Sequence, residues 1–542
     1  MQPRYWSHPI LSCVEASAWE KQILGDDPVA GVDAMRRAGL KVAKAVKLDF
    51  QEIGPWPERP RILVLAGKGF NAGDALIAAH ALVKPCQKAE VAVVHVFAET
   101  AWKPPLLPWV RRLDECASSG IVVKRIILRG GESRTAVTAL LHELGGRGGF
   151  DVCLDGLLGM HFRAPLAPDW VALLEAVNAY PLIRLRAAVD LPSGVGGDTT
   201  AGPAFAADFT YATGIVKAPL FDRSNRPFAG RIRYADIGFF DSGETSTSVE
   251  AARILLPRGL APLRGLRPAS ADKRTLGHLF ILAGSRSMPG ALQMNVRAAL
   301  QAGVGLVTVF APESVVAPLS AVIPEAMWVP WPETPQGGLS LEGRHLLVER
   351  ATRGDALLCG SGMGREAETR ALIDDIVQLW EKPLVLDADA LHAGLLAVIE
   401  RRAGGHGGVI ITPHHGEYRR LYDLGEHEDP VEHLAQQTLP ENLTLVLKGA
   451  PTWIGKAGGR YASPYGGPVL ARGGSGDLLA GMTGALLAMY PADPLQAARI
   501  ACLWHGLAAD HLARRQGPTA VRTTDLLQHL GPVLRADDDL LC

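Results

Sequence analysis

RILVLAGKGFNAGDALIAAHALV, residues 61–83, reads as a strand, a glycine-rich turn and a helix in direct succession. Arg61–Ala66 is a short aliphatic run, Gly67–Ala75 (GKGFNAGDA) carries the glycines, and the Ala/Leu-rich stretch after it has helical composition. A turn of this kind lets backbone amides approach a phosphate, and the dipole of the following helix adds to the attraction. A plain turn is an equally common use of such glycines. The same alternation continues outward. Val91–Phe97, Asp151–Leu154 and Ala187–Val189 are strand candidates in the first half of the chain. His278–Ala283, Leu306–Phe310, Ala356–Cys359, Pro383–Leu386, Val409–Ile411 and Leu443–Leu447 are those of the second. Strands alternating with helices predict an α/β protein with mostly parallel sheets.

A chain of 542 residues exceeds what one hydrophobic core supports, so two domains are expected. The polar segment Asp241–Ser248 (DSGETSTS) has linker composition and places them at 1–240 and 250–542. With 55 basic and 56 acidic residues the formal charge is −1, which supplies no field for gathering nucleic acid or anionic lipid. Any phosphate must be held by local geometry. Seven scattered cysteines without a CxxC pair argue for a reducing compartment and against a disulfide framework or zinc site. Glu15 and Glu20 interrupt what would be the apolar core of a secretory signal, and no run reaches the ~20 apolar residues of a membrane span. A cytoplasmic location follows as the expectation.

Two further acids in the first half, Asp155 in DGLLG and Asp190 in VDLPSG, sit just past strand candidates, where open α/β sheets gather ligands. Either one is also an ordinary turn or cap residue. Together with Gly67–Ala75 and the helical AMRRAGLKVA (34–43), these loops resemble the epimerase-type, or YjeF N-terminal, domain of the NAD(P)H-hydrate repair family over residues 1–240. That resemblance implies a Rossmann-like three-layer domain. It implies substrate contacts from Phe70, Asn71, Ala72, Gly73 and Asp74, from Gly159, Met160, His161, Phe162, Arg163, Ala164 and Pro165, and from Asp190. It also implies a potassium ion on oxygens of Asn71, Asp155 and Ser193. The family's glycine loop usually reads GxGNNGGDG and its substrate loop carries TGL; here Phe70, Ala72 and Met160–Phe162 depart from both. Moving a hydroxyl at C6 of the hydrated ring needs a proton shuttle, for which Asp190 is the candidate general acid and base.

In the second half, GGSGD (Gly473–Asp477) opens a helical stretch. Consecutive amides at a helix start make an anion hole, and the acid that follows can take a proton from a hydroxyl undergoing phosphorylation. With LAGSRSMPGALQMNVRAALQAGVGLVTV (282–309), CGSGMG (359–364), ITPHHGEYRRL (411–421) and VLKGAPT (446–452), this string resembles the dehydratase-type domain of the same family, of ribokinase-like α/β fold. The resemblance implies that Lys448, Gly449, Ala450, Pro451, Thr452 and Gly476 hold an adenine nucleotide. It implies that Ala291, Gly362, His414 and Asp477 meet the hydrated nicotinamide nucleotide, with Asp477 catalytic. The family usually has TPHPGE, where His415 stands in place of the second proline. Asp387 and Asp389 offer oxygens to magnesium or cap the next helix.

The combined expectation is a bifunctional enzyme that epimerises R and S forms of hydrated NADH and NADPH and dehydrates the S form with ADP as co-substrate, giving AMP and phosphate. ADP is favoured over ATP because bacterial members with both domains in one chain use it. A homo-oligomer is expected. Two rivals are a ribokinase-like kinase for a vitamin precursor alcohol, which needs no N-terminal crevice, and an N-terminal half that only binds or scaffolds.

Overall fold

In the computed structural model, residues 6–538 are described except 129, 163–164, 197–202, 242, 244–251 and 403, with backbone alone at 118–119. Arg163, Ala164 and most of the Asp241–Ser248 segment therefore lie outside the described residues. The chain forms two compact units, one over His8–Ala251 and the other over Ala252–Leu541 together with Met1–Ser7. Among the described residues no helix is long and apolar enough to cross a membrane.

The first unit is built on seven parallel strands in the order Ile121–Ile127, Ala89–His95, Arg61–Ala66, Phe150–Gly156, Ile183–Val189, Phe209–Thr213 and Arg231–Ala235. Side chains of Arg61–Ala66 alternate between two cores. Ile62, Val64 and Ala66 join the cluster of the helices Pro28–Phe50 and Phe70–Val83, while Leu63 and Leu65 join that of Arg134–Gly145 and Pro168–Ala179. Burial on both faces explains why the run has no polar alternation. Each fully buried aliphatic side chain contributes roughly 1.5–3 kcal/mol, so this central strand anchors all three layers. Pro28–Phe50 starts at Asp27, whose carboxylate accepts from Val29 N at 2.9 Å. It packs closely on Phe70–Val83 because Gly39 and Gly73 face it and its neighbour: a Cβ there would stand 2.5 Å from Ile77 Cβ and 2.1 Å from Met35 Sδ.

Chain order reverses between Arg61–Ala66 and Phe150–Gly156, and such a switch point opens a crevice at the carboxyl ends of the strands. The glycine loop lies there.

The second unit carries seven parallel strands in the order Met327–Trp331, Leu306–Pro312, His278–Leu282, Ala356–Cys359, Leu384–Leu386, Val409–Ile411 and Leu443–Leu447. The hairpin Thr452–Lys456 and Gly459–Ser463 continues the sheet antiparallel, and Arg253–Leu255 pairs parallel with its second strand. Its switch point lies between His278–Leu282 and Ala356–Cys359. The N-terminal Trp6 and Ser7 belong to this unit: Arg253 donates to Ser7 Oγ at 2.9 Å and to Ser7 O at 2.7 Å, and Leu256 N donates to Trp6 O at 3.0 Å.

Candidate active sites

The crevice of the first unit has a volume of about 800 Å³, within the range of small-molecule sites. Glu20, Asp74, Asp190 and Thr213 line it, together with Phe70, Asn71, Ala72 and Gly159–Phe162. Gly67 is required for the floor. A Cβ at that position would stand 2.0 Å from Leu157 O, so the glycine loop can lie against the loop after Phe150–Gly156 only without a side chain.

Asp190 follows Ile183–Val189 with φ 67°, a conformation that costs a non-glycine residue of order 1 kcal/mol. Its neighbours hold it there. Asp190 N donates to Tyr211 O at 2.9 Å, while Oδ1 accepts from Thr213 N at 3.3 Å, Thr213 Oγ1 at 3.2 Å and the Lys217 ammonium. Lys217 is wholly buried, also donates to Thr213 O at 3.2 Å, and has Glu20 Oε1 at 4.0 Å. Burial opposes its charge, but the carboxylates of Asp190 and Glu20 keep its pKa above the ordinary lysine value. Burial also raises Glu20 to about 7, against the pull of Lys217. Asp74 is pushed well above the usual carboxylate range by burial and then by the charge of Asp190, and its buried Oδ1 has no hydrogen-bond partner among the described residues. One cation among three carboxylates leaves protons to be shared, which is what an acid–base site needs.

Asn71, Asp155 and Ser193 all meet at Leu157–Leu158. Asn71 Nδ2 donates to Leu158 O, and Leu158 N donates to Ser193 Oγ at 2.9 Å. Asp155 accepts from Ser193 Oγ at 2.6 Å, Ser193 N at 2.7 Å and Leu157 N at 3.2 Å. Burial raises Asp155 to about 6 against these hydrogen bonds. Asp155 and Ser193 lie outside the crevice lining, and the turn-forming role of an Asp at this place is present. Asn71 Oδ1 is buried without a partner among the described residues, so an oxygen is left for a hard cation.

In the second unit the helix Ser475–Met489 opens at Gly474, whose φ of 87° favours glycine, and a Cβ placed there would stand 2.3 Å from Met294 Sδ, which would have to shift. A Cβ on Gly476 would stand 3.3 Å from Nζ of Lys448, so Lys448 reaches the helix start from the turn after Leu443–Leu447. Lys448 Nζ lies 2.9 Å from Asp387 Oδ1 and 3.8 Å from Glu417 Oε2. Burial opposes its charge, yet these carboxylates hold its pKa above the ordinary value. Asp477 is raised to about 6 by burial and then by Asp387, with Lys448 and, more weakly, the Ser361 hydroxyl pulling it down. Asn295 Nδ2 donates to Asp477 O at 2.8 Å and fixes that turn.

Gly362 and Ala291 are neighbours: with φ 65°, a Cβ on Gly362 would stand 2.9 Å from Ala291 Cβ. His414 is the N-cap of His415–Tyr422, its Nδ1 accepting from Gly416 N at 3.0 Å and Glu417 N at 3.3 Å while Glu417 accepts from His414 N at 2.8 Å. This is a capping box in which a histidine takes the usual hydroxyl's part. The cap holds His414 beside Lys448, with which it forms a bridge. Gly449 sits over His415, 2.9 Å from its Nε2 to a Cβ, and Thr452 Oγ1 closes the turn on Gly449 O at 3.1 Å.

The family model described as NAD(P)H-hydrate dehydratase matches residues 279–531, and that described as YjeF-related protein N-terminus matches 32–218. The bifunctional NAD(P)H-hydrate repair enzyme of Gloeobacter violaceus is 35% identical over 515 residues, 93% of either chain. That of Moorella thermoacetica is 32% identical over 538 residues, 97% of this chain and 96% of that one. The chain belongs to the bifunctional NAD(P)H-hydrate repair family. A solved ADP/ATP-dependent NAD(P)H-hydrate dehydratase of Bacillus subtilis, co-crystallised with ATP and Mg²⁺, is 27% identical with a TM-score of 0.42, covering 49% of this chain and 92% of that one.

Of the expected site residues, Phe70–Asp74 and Gly159–Phe162 follow the two strands at the first switch point and Ala291 and Gly362 those at the second, whereas His414 and Lys448–Thr452 follow strands two and three places further along the sheet. Gly73 packs on Met35, and Pro165 is not in the crevice lining. Asp389 accepts from Gly364 N at 3.0 Å, and Asp387 accepts from Lys448, from Thr412 Oγ1 at 2.7 Å and from Ser361 Oγ at 3.3 Å. Neither side chain caps the helical turn that follows. Both are engaged by protein donors, and among the described residues no group of three or more His, Cys, Asp or Glu is placed to hold a metal. The donor set does not make a resident magnesium cage. Sequence reasoning missed Lys217, Glu20 and Asn295. A lysine inside the otherwise apolar YATGIVKAPLF (211–221) was the available signal for the first.

Proposed function

We propose that the two sites divide the repair of hydrated NADH and NADPH, the first unit interconverting R and S epimers and the second dehydrating the S form with ADP. In the first site Asp190 exchanges the proton that accompanies loss and return of the C6 hydroxyl. Lys217 holds Asp190 in place, and Asp74 and Glu20 supply or take up protons nearby. Asn71, Asp155 and Ser193 would hold potassium, which when bound would supply a fixed positive charge beside the substrate.

In the second site Asp477 takes the proton of the C6 hydroxyl as that oxygen attacks the terminal phosphoryl group of ADP and AMP departs. The amides of Gly474–Gly476 and the Lys448 ammonium bear the phosphoryl charge. Phosphate then leaves C6 as a proton leaves C5, restoring the dihydropyridine. Unactivated, the C6 hydroxyl would have to leave as hydroxide, a poor leaving group, whereas phosphate is a good one, so the nucleotide drives the elimination.

The observation that carries this reading is the meeting of Gly476, Lys448 and Asp477 at one helix start. Incubating the purified chain with hydrated NADH and ADP should restore the dihydronicotinamide absorbance. Turnover with ATP equal to or faster than with ADP would overturn the choice of donor, and no return with either would overturn the dehydratase reading.

A further inference from the structure

The crevice of the first unit changes character from its buried end to its mouth. At one end stand the carboxylates of Glu20, Asp74 and Asp190, backed by Lys217. At the mouth, Lys68 and Lys103 are exposed and lie over aromatic rings, Lys68 Nζ 4.8 Å from the centroid of Phe97 and Lys103 Nζ 5.2 Å from that of Phe70. Phe97 in turn meets Trp170 edge-on at 5.4 Å. Among the described residues neither ammonium is in an ion pair.

This rim is built rather than incidental. Lys103 N donates to Lys68 O at 3.1 Å, tying the two lysine segments side by side. The adjacent Trp102 is buried and donates from Nε1 to Phe97 O at 3.0 Å, which fixes the segment carrying Phe97 to the same place. Phe70, 43% exposed, is the first residue of the helix Phe70–Val83, so its ring stands at the entrance instead of in the core. Burying a phenylalanine would be favourable by roughly 1.5–3 kcal/mol, and this one is left in water beside a cation.

Two cations held together match a pyrophosphate, and flat apolar rings beside them match a purine, which stacks on aromatic faces. We propose that Lys68 and Lys103, with the rings of Phe70, Phe97 and Trp170, form the subsite for the adenylate half of a hydrated dinucleotide, so that this crevice selects dinucleotide over mononucleotide hydrates. The inference rests on the epimerase reading of the buried end. It adds the residues that read the distal half of the substrate.

Epimerisation can be followed on the full chain without ADP, so that dehydration is silent. Hydrated NADH and hydrated reduced nicotinamide mononucleotide are compared as substrates, with ADP-ribose as inhibitor, in the wild type and in K68M/K103M. The lysines are exposed, so the double variant retains the fold. In the wild type, KM should be lower for the dinucleotide and ADP-ribose should compete with it. In the double variant, the dinucleotide's KM advantage should collapse and ADP-ribose inhibition should weaken, by roughly tenfold for each charge-assisted hydrogen bond to phosphate that is removed. Retention of both the advantage and the inhibition would overturn the subsite. A wild-type chain that epimerises neither hydrate would instead overturn the reading on which the inference rests, and the inference with it.

Discussion

Nζ of Lys448 stands 2.9 Å from Oδ1 of Asp387, and that pair sets the ammonium against Gly476 at the start of the helix carrying Asp477. Asp387 thus does two opposite things to Asp477: its own charge raises the Asp477 pKa, and the lysine it anchors lowers it. As a base, Asp477 works only ionised. With its pKa raised to about 6, the ionised fraction grows as pH rises through that value and is complete above it. Dehydration should therefore show an acidic limb in kcat/KM near pH 6 and a plateau above. In K448M the cation is gone while Asp387 remains, so the limb should move to higher pH with a lower plateau. A limb unmoved by K448M would separate Lys448 from Asp477 and leave it only a nucleotide contact.

The first unit has the corresponding pair in Asp190 and Lys217, and here both partners are buried. Replacing one member of a buried ion pair leaves the other charge without compensation, at a cost of about 3–5 kcal/mol. K217M should lower the stability of this unit by that order and reduce epimerisation. D190N/K217M, which removes both charges, should recover most of the stability and none of the activity. Chemical denaturation followed separately for each unit checks this, and additive losses in the double variant would show that the two side chains are not coupled.

The strands Val409–Ile411 and Leu443–Leu447 were legible because burial on both faces makes them short aliphatic runs, broken only by Thr444. Ile121–Ile127 was not, since it is the sheet's edge strand and carries Lys124 and Arg125 on exposed positions. Phe209–Thr213 has burial throughout but mixes threonines with aromatics, so its run is short and its ends are indistinct. The glycine loops were readable because the approach to the Leu157 carbonyl admits little else at Gly67, and a positive φ favours glycine at Gly474. The partners of the acids were not. Lys217 lies 27 positions from Asp190, and Glu20 comes from a helix near the N-terminus. No spacing rule joins such residues; only the sheet order brings them together. His414 shows the converse, since a histidine named from its motif as a substrate contact is also a helix cap.

Asn71, Asp155 and Ser193 meet at the Leu157–Leu158 turn with the Asn71 amide oxygen unpartnered among the described residues, which is a donor arrangement suited to potassium. Epimerisation should rise on titration with potassium and fall when lithium replaces it. S193A should weaken the potassium response while leaving dehydration of the S form unchanged. A flat potassium titration would remove the cation from this site and leave the three residues a structural role in the turn.

On the proposed assignment each unit contains its own reacting carboxylate, so the two chemistries should separate by single substitutions. D477N replaces a base with an isosteric amide. It should cut nucleotide-dependent dehydration by about 10²–10⁴-fold, the usual contribution of a positioned general base, while epimerisation continues. D190N should do the reverse: the S epimer is repaired at the normal rate, and the R epimer accumulates beyond what spontaneous epimerisation clears. Asp190 has a positive φ, and asparagine is among the few residues that tolerate it, so the local backbone is kept, although Lys217 loses its counter-charge and the unit loses stability as in K217M. Circular dichroism and thermal melting would check that both variants remain folded. A vitamin-precursor kinase would behave differently, losing phosphorylation of an alcohol in D477N with hydrated NADH unaffected by either change. R-epimer repair at the wild-type rate in D190N would make Asp190 a structural acid anchored by Lys217, and would leave the first unit a binding domain.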